Sequence, residues 1–105
     1  MTTISRHLKL NLNDILLIEG DVNYSRIHYV DQSTELVCFT LKALEERLNE
    51  HAHFLRIHKG YLVNTAHIKG IFTKERYMLL KDRKVPISRR RVSGVVYDIY
   101  KIRAN

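Results

Sequence analysis

A chain of 105 residues accommodates one ordinary domain and leaves no room for a second core. Its 45% hydrophobic and 28% charged residues are the balance of a globular protein, which excludes a disordered or collagen-like chain. Eighteen Lys and Arg face eleven Asp and Glu, and the resulting net charge of +7 draws polyanions, nucleic acid before anionic membrane.

Residues Met1 to Arg6 are polar and lack a signal-peptide core. His7-Leu8-Lys9-Leu10 alternates polar and apolar, the period of a half-buried strand, and Asn11 to Asp14 supplies turn residues. Ile15-Leu16-Leu17-Ile18 is a short continuous apolar run suited to a buried strand, broken by Glu19 to Asn23. Tyr24 to Val30, rich in β-branched and aromatic residues, is predicted to form a hairpin with Glu35 to Thr40 across the turn Asp31-Gln32-Ser33. Cys38 falls in the apolar run Leu36-Val37-Cys38-Phe39, where a free cysteine is expected as a small buried hydrophobe. As the only cysteine it excludes an intrachain disulfide and a four-cysteine zinc site, and a reduced, intracellular setting is expected.

Thr40 is an acceptable N-cap for a helix whose Leu41, Leu44 and Leu48 form one apolar stripe against a sheet. Short extended segments follow at Phe54 to Ile57, Tyr61 to Asn64, Ile68 to Phe72, Tyr77 to Leu80 and Lys84 to Ile87, separated by polar or glycine-bearing turns. Such spacing predicts an antiparallel meander. Ser88 is placed to cap a last helix, where Val92, Val95, Val96, Ile99 and Ile102 keep a helical period. No apolar stretch approaches the ~20 residues of a spanning helix. The fold class expected is mainly β, with two helices, the second C-terminal, in a single domain without a membrane partner.

Three clusters carry chemistry. In Pro86-Ile87-Ser88-Arg89-Arg90-Arg91, consecutive arginines crowd the positive end of a helix dipole, a conflict that an anionic partner relieves. Arginine's planar fork suits phosphate or the O6 and N7 atoms of guanine. In Arg56-Ile57-His58-Lys59-Gly60-Tyr61, alternation puts Arg56 and His58 on one side of a strand, Lys59 at the turn, and Gly60 where positive φ or close approach is allowed. Asn23-Tyr24-Ser25-Arg26 is a loop entering a strand, with donors for base edges and phosphates. Each cluster alone also fits a solvated basic face or an ordinary hairpin; together they place DNA-competent donors at several strand ends.

These residues carry a family resemblance. Phe54-Leu55-Arg56-Ile57-His58-Lys59-Gly60-Tyr61-Leu62-Val63-Asn64 resembles the central signature of LytTR domains, and His67-Ile68-Lys69-Gly70-Ile71 continues it. Asp14 to Glu19 followed by Asn23-Tyr24-Ser25 resembles the opening segment, and Pro86-Ile87-Ser88-Arg89-Arg90 the closing one, with spacing that agrees from about Leu8 to Ile102. The resemblance implies an elongated fold of antiparallel strands that inserts loops into DNA, binds promoter direct repeats as pairs and bends the duplex. It places base-reading side chains near Ser25, Lys59 and Arg90, with Asn23, Tyr24, Arg26, Arg56, His58 and Arg89 as phosphate contacts or loop supports. Gly60 departs from the commoner serine, which puts a hydroxyl or backbone phosphate contact there in doubt. Family members also typically carry an N-terminal receiver domain, so this chain is expected as the output domain of a two-component response regulator or as a freestanding regulator, bacterial and cytoplasmic.

Other readings share some of these features. His51, His53 and His58 lie close in sequence, but without nearby cysteine or paired carboxylates beyond Glu50 they read as surface histidines, and neither metal nor cofactor is expected. No glycine-rich phosphate loop or nucleophile–base arrangement is legible, so no catalytic residue is assigned. Arg90-Arg91-Val92-Ser93 matches a basic-directed kinase pattern that chance explains as well. An RNA- or single-strand-binding β module, with Tyr24, Tyr29, Tyr61 and Tyr77 as stacking platforms, is the main alternative, followed by a protein-interaction domain.

Overall fold

The computed structural model describes residues 1–51 and 53–104. Strands β1 (Thr2–Ser5) and β2 (Leu8–Leu10) form a small hairpin. Strands β3 (Ile15–Gly20), β4 (Ser25–Tyr29), β5 (Thr34–Val37), β6 (Phe54–His58) and β7 (Tyr61–Asn64) form a five-stranded sheet in the order β5-β4-β3-β7-β6. Strands β8 (Ile68–Phe72), β9 (Tyr77–Leu80) and β10 (Arg83–Pro86) make a three-stranded meander. All these pairings are antiparallel. Helices α1 (Leu41–Arg47) and α2 (Val92–Ala104) complete a molecule with extents of 40 × 30 × 25 Å.

The apolar run of β3 explains the order of the large sheet. Ile15 and Ile18 belong to one core, with Ile27, Val37, Leu62, Leu41 and Leu44 of α1, and Leu48 at its C-cap. Contrary to the single core expected for a chain of this length, Leu16 and Leu17 belong to a second, on the other face of the sheet, with Ile57, Val63, the meander residues Met78, Leu80 and Val85, and Val95 and Ile99 of α2. A strand covered on both faces reads as continuous hydrophobicity and takes a central position. The meander is therefore confined to β8–β10, while β7 turns back to pair with β3.

Several expectations are met in detail and some are corrected. Thr40 caps α1, its hydroxyl accepting from the Ala43 amide at 3.1 Å. β1, to which the sequence reading assigned no element, buries Ile4 against the first core. The break expected from Glu19 begins only at Asp21, because Glu19 and Gly20 stay paired to Arg26 and Ser25. Cys38, expected buried, is exposed just beyond the edge strand β5. Val96, expected within the apolar stripe of α2, is 39% exposed. Ser88 does not cap a helix with its side chain: its carbonyl accepts from the Arg91 amide at 2.9 Å, closing a 3-10 turn over Arg89–Arg91, and α2 starts at Val92.

Candidate nucleic-acid interface

Three loops meet along one edge of the molecule. The first, between β3 and β4, is closed by the Asp21 amide donating to the Tyr24 carbonyl at 2.9 Å. The second is the turn Lys59–Gly60 between β6 and β7, and the third is the segment from Ser88 to Arg91 before α2. Two backbone hydrogen bonds join them in series. The Gly20 amide donates to the Gly60 carbonyl, and the Ser88 amide donates to the Ile57 carbonyl, both at 2.9 Å. Backbone bonds of this kind restrain loop positions without using any side-chain donor.

Asn23, Tyr24, Arg26, Lys59, Arg89 and Arg90 are all exposed. In the first loop the Asp21 carboxylate, by its hydrogen bond and its charge, raises the Tyr24 phenol above its ordinary pKa and keeps it a neutral donor. Arg91 is half-buried behind its exposed neighbours.

Ser25 lies elsewhere than its expected base-reading role requires. It is fully buried, and its hydroxyl donates to the Phe39 carbonyl at 2.8 Å. A side chain so placed has no exposed donor for a base edge; it ties the start of β4 to the segment entering α1. Its neighbours Asn23 and Tyr24 carry exposed polar groups of that loop, and Arg26 is exposed in β4 just beyond it.

Arg56 and His58 act inside the second loop. The Arg56 side chain is 14% exposed, and its guanidinium donates through Nε to the His58 carbonyl at 2.8 Å and through one terminal nitrogen to the Lys59 carbonyl. The other terminal nitrogen reaches the Glu45 carboxylate at 2.7 Å. Of the two roles expected for Arg56, the geometry is that of a loop support. His58 accepts the Gly60 amide on Nδ1 at 3.0 Å, with its ring tilted against Tyr61 at a centroid distance of 5.6 Å. Burial, then the charges of Lys59, Arg91 and Arg56, push the His58 imidazole below its ordinary pKa, so it is held neutral. A bulge between Arg56 and His58 interrupts the alternation that had placed them on one side of the strand.

Gly60 has no positive φ, and a Cβ added there would meet only His58 Nδ1 at 3.6 Å. The glycine is not demanded by the backbone. Gly20 is the constrained one: an added Cβ would stand 2.8 Å from Leu41 Cβ. Glu45, Leu41 and the Phe39 carbonyl thus support the loops; the apolar stripe marks Leu41 only as packing, and no sequence pattern marks Glu45 or the Phe39 carbonyl, because each meets its partner only across the fold. Among the described residues no three His, Cys, Asp or Glu side chains converge as a metal site requires, and no helix is long and apolar enough to cross a membrane.

An antiparallel β scaffold that gathers cation-bearing loops on one edge, with no recognition helix among them, defines a loop-presenting nucleic-acid-binding module. The chain belongs to the LytTr DNA-binding domain family, whose model matches residues 5–97, and it is a DNA-binding domain. Among solved structures it is similar to one described as the LytTr DNA-binding domain of a methyl-accepting/DNA response regulator from Bacillus cereus. The two are 19% identical, with a TM-score of 0.74 over 86% of this chain and 84% of that one, a likeness of fold. No curated protein matches the sequence significantly.

Proposed function

We propose that this domain binds double-stranded promoter DNA sequence-specifically and regulates transcription as the output domain of a two-component response regulator. The observation that carries this reading is the pair of backbone bonds, Gly20 to Gly60 and Ser88 to Ile57, that hold three loops on one edge, with Lys59 in the second, Arg89 and Arg90 in the third, and Arg26 in the strand just after the first. Loops fixed relative to one another can enter successive grooves of one duplex together, whereas independent loops would each lose conformational entropy on binding. Lys59 and Arg90 read bases, and Arg89 and Arg26 contact phosphates. With Ser25 buried, Asn23 and Tyr24 present the first loop to the DNA.

Two copies occupy direct repeats, as the family resemblance implies. A DNA partner places the protein in the cytoplasm, and the site performs no catalysis and uses no cofactor. The tyrosines favour duplex over single strands. Tyr29, Tyr61 and Tyr77 are half-buried, Tyr77 being stacked on Phe72, which leaves Tyr24 as the exposed ring among the four proposed stacking platforms.

Selection of bound duplexes from a random pool, followed by titration against scrambled duplex and single strands, tests the proposal. A recovered repeat bound more tightly than both competitors is expected. Preference for the single strand, or no binding to any duplex at low salt, overturns it.

A further inference from the structure

Helix α1 lies against both of the first two loops. Its first residue, Leu41, fills the space beside Gly20, so close that a single added carbon there would be 2.8 Å away. One turn later Glu45, 40% exposed, holds the Arg56 guanidinium at 2.7 Å. Arg56 in turn donates to the carbonyls of His58 and Lys59. A carboxylate, a planar fork and two loop carbonyls are therefore connected in series from the helix to the turn that carries Lys59.

From this connection we propose that the Glu45–Arg56 pair is a positioning device that sets the base preference of the Lys59 loop without touching DNA. The inference rests on the proposed DNA reading of that loop. The physical reason is the geometry of guanidinium. Three nitrogens engaged on three acceptors fix both the plane and the rotation of the Arg56 head, and the head fixes the two peptide units it donates to. Without Glu45 the guanidinium is free to swing outward to a phosphate, and Lys59 loses its backbone template. A lysine at 56 keeps the charge but lacks the fork.

Glu45 makes the test sharp. Removing an acidic residue from a DNA-binding surface ordinarily strengthens binding to every sequence by reducing repulsion. The positioning role reverses that expectation for the preferred sequence alone. Glu45→Ala, at a partly exposed helical position where alanine is well tolerated, and Arg56→Lys are compared with the wild-type domain on the selected duplex and on a scrambled one. The selectivity ratio is expected to fall on the order of tenfold in each, the scale of one charge-assisted hydrogen bond. Affinity for the scrambled duplex stays level or rises in Glu45→Ala. The double variant falls no further than Arg56→Lys alone, because both substitutions break one chain of contacts. In Arg56→Gln the salt slope on scrambled duplex stays at its wild-type value.

An unchanged ratio in Glu45→Ala overturns the inference, and so does a slope shallower by about 0.9 in Arg56→Gln, which would put Arg56 on a phosphate. Amide resonances of Lys59 and Gly60 in the free domain give a second measurement. They are expected to shift in Glu45→Ala while those of the β8–β10 meander stay fixed, and their constancy also overturns the inference. If the wild-type domain prefers no duplex, the proposed function fails, and the amide resonances still decide whether Glu45 positions the loop.

Discussion

The Ser25 hydroxyl donates to the Phe39 carbonyl at 2.8 Å, across fourteen residues of chain. Ser25 opens β4 at the edge that carries the three loops, and Phe39 stands just ahead of the α1 cap, so one part-buried bond joins the first loop to the helix that supports it. A polar side chain is retained in that interior because it satisfies a carbonyl that would otherwise lie unpaired.

Ser25→Ala is therefore expected to lower stability by about 0.5–1.5 kcal/mol, the net contribution of one hydrogen bond, while base preference is retained. Urea unfolding and the selected duplex pool measure the two effects. Altered preference at one base with unchanged stability would return Ser25 to the DNA.

Gly20 and Gly60 should respond differently to the same substitution. At Gly20 an added methyl collides with Leu41, and Gly20→Ala is expected to cost about 1–3 kcal/mol as β3 and α1 move apart. At Gly60 only His58 Nδ1 lies within van der Waals range, and Gly60→Ala should fall within about 0.5 kcal/mol of wild type. Equal losses at the two sites would contradict the close approach of α1.

Arg90→Ala should weaken specific binding by about 1–3 kcal/mol and relax the preference at one base position. Binding titrations on duplexes varied one base pair at a time are the measurement. Uniform weakening on every sequence would assign Arg90 to phosphate alone.

Lys59→Ala should weaken the selected duplex more than a scrambled one, with the salt slope nearly unchanged, as a base contact requires. A slope shallower by about 0.9 would show a phosphate contact instead.

His58 makes stability depend on pH. Its folded-state pKa lies below the ordinary 6.5, first through burial and then through Lys59, Arg91 and Arg56. From about pH 7.5 upward, a full unit above the unfolded value, both folded and unfolded forms are neutral and the contribution is level. As pH falls from there the unfolded chain takes up the proton first, so stability decreases until the folded-state pKa is passed and then levels again. His58→Asn, which keeps an acceptor for the Gly60 amide, should flatten this part of the acid dependence in denaturant titrations between about pH 7.5 and about pH 5. Identical slopes in the two proteins would assign the acid sensitivity elsewhere.

Most strands were legible because their signals are local. The apolar run at Ile15 to Ile18, the capping Thr40 and the Lys59–Gly60 turn each act over a few residues, and each behaves as its pattern implies. Errors collect where burial depends on a distant partner. Cys38 and Val96 are apolar by type yet exposed, because among the described residues none packs over the segment after β5 or the outer face of α2 at these positions. Ser25 and Arg56 are polar by type yet withdrawn, because Phe39 and Glu45 receive them.

From composition and pattern alone came the antiparallel β class, the two helices and the placing of cations at strand ends, since charge, alternation and capping are properties of short stretches. The tertiary structure alone decided which donors face outward. The β3–β7 pairing aligns chain segments more than forty residues apart, and that register brings Gly20 to Gly60 and sets the Lys59 turn beside the first loop. Whether a given Ser or Arg is a reader or a support follows from acceptors that no local pattern specifies.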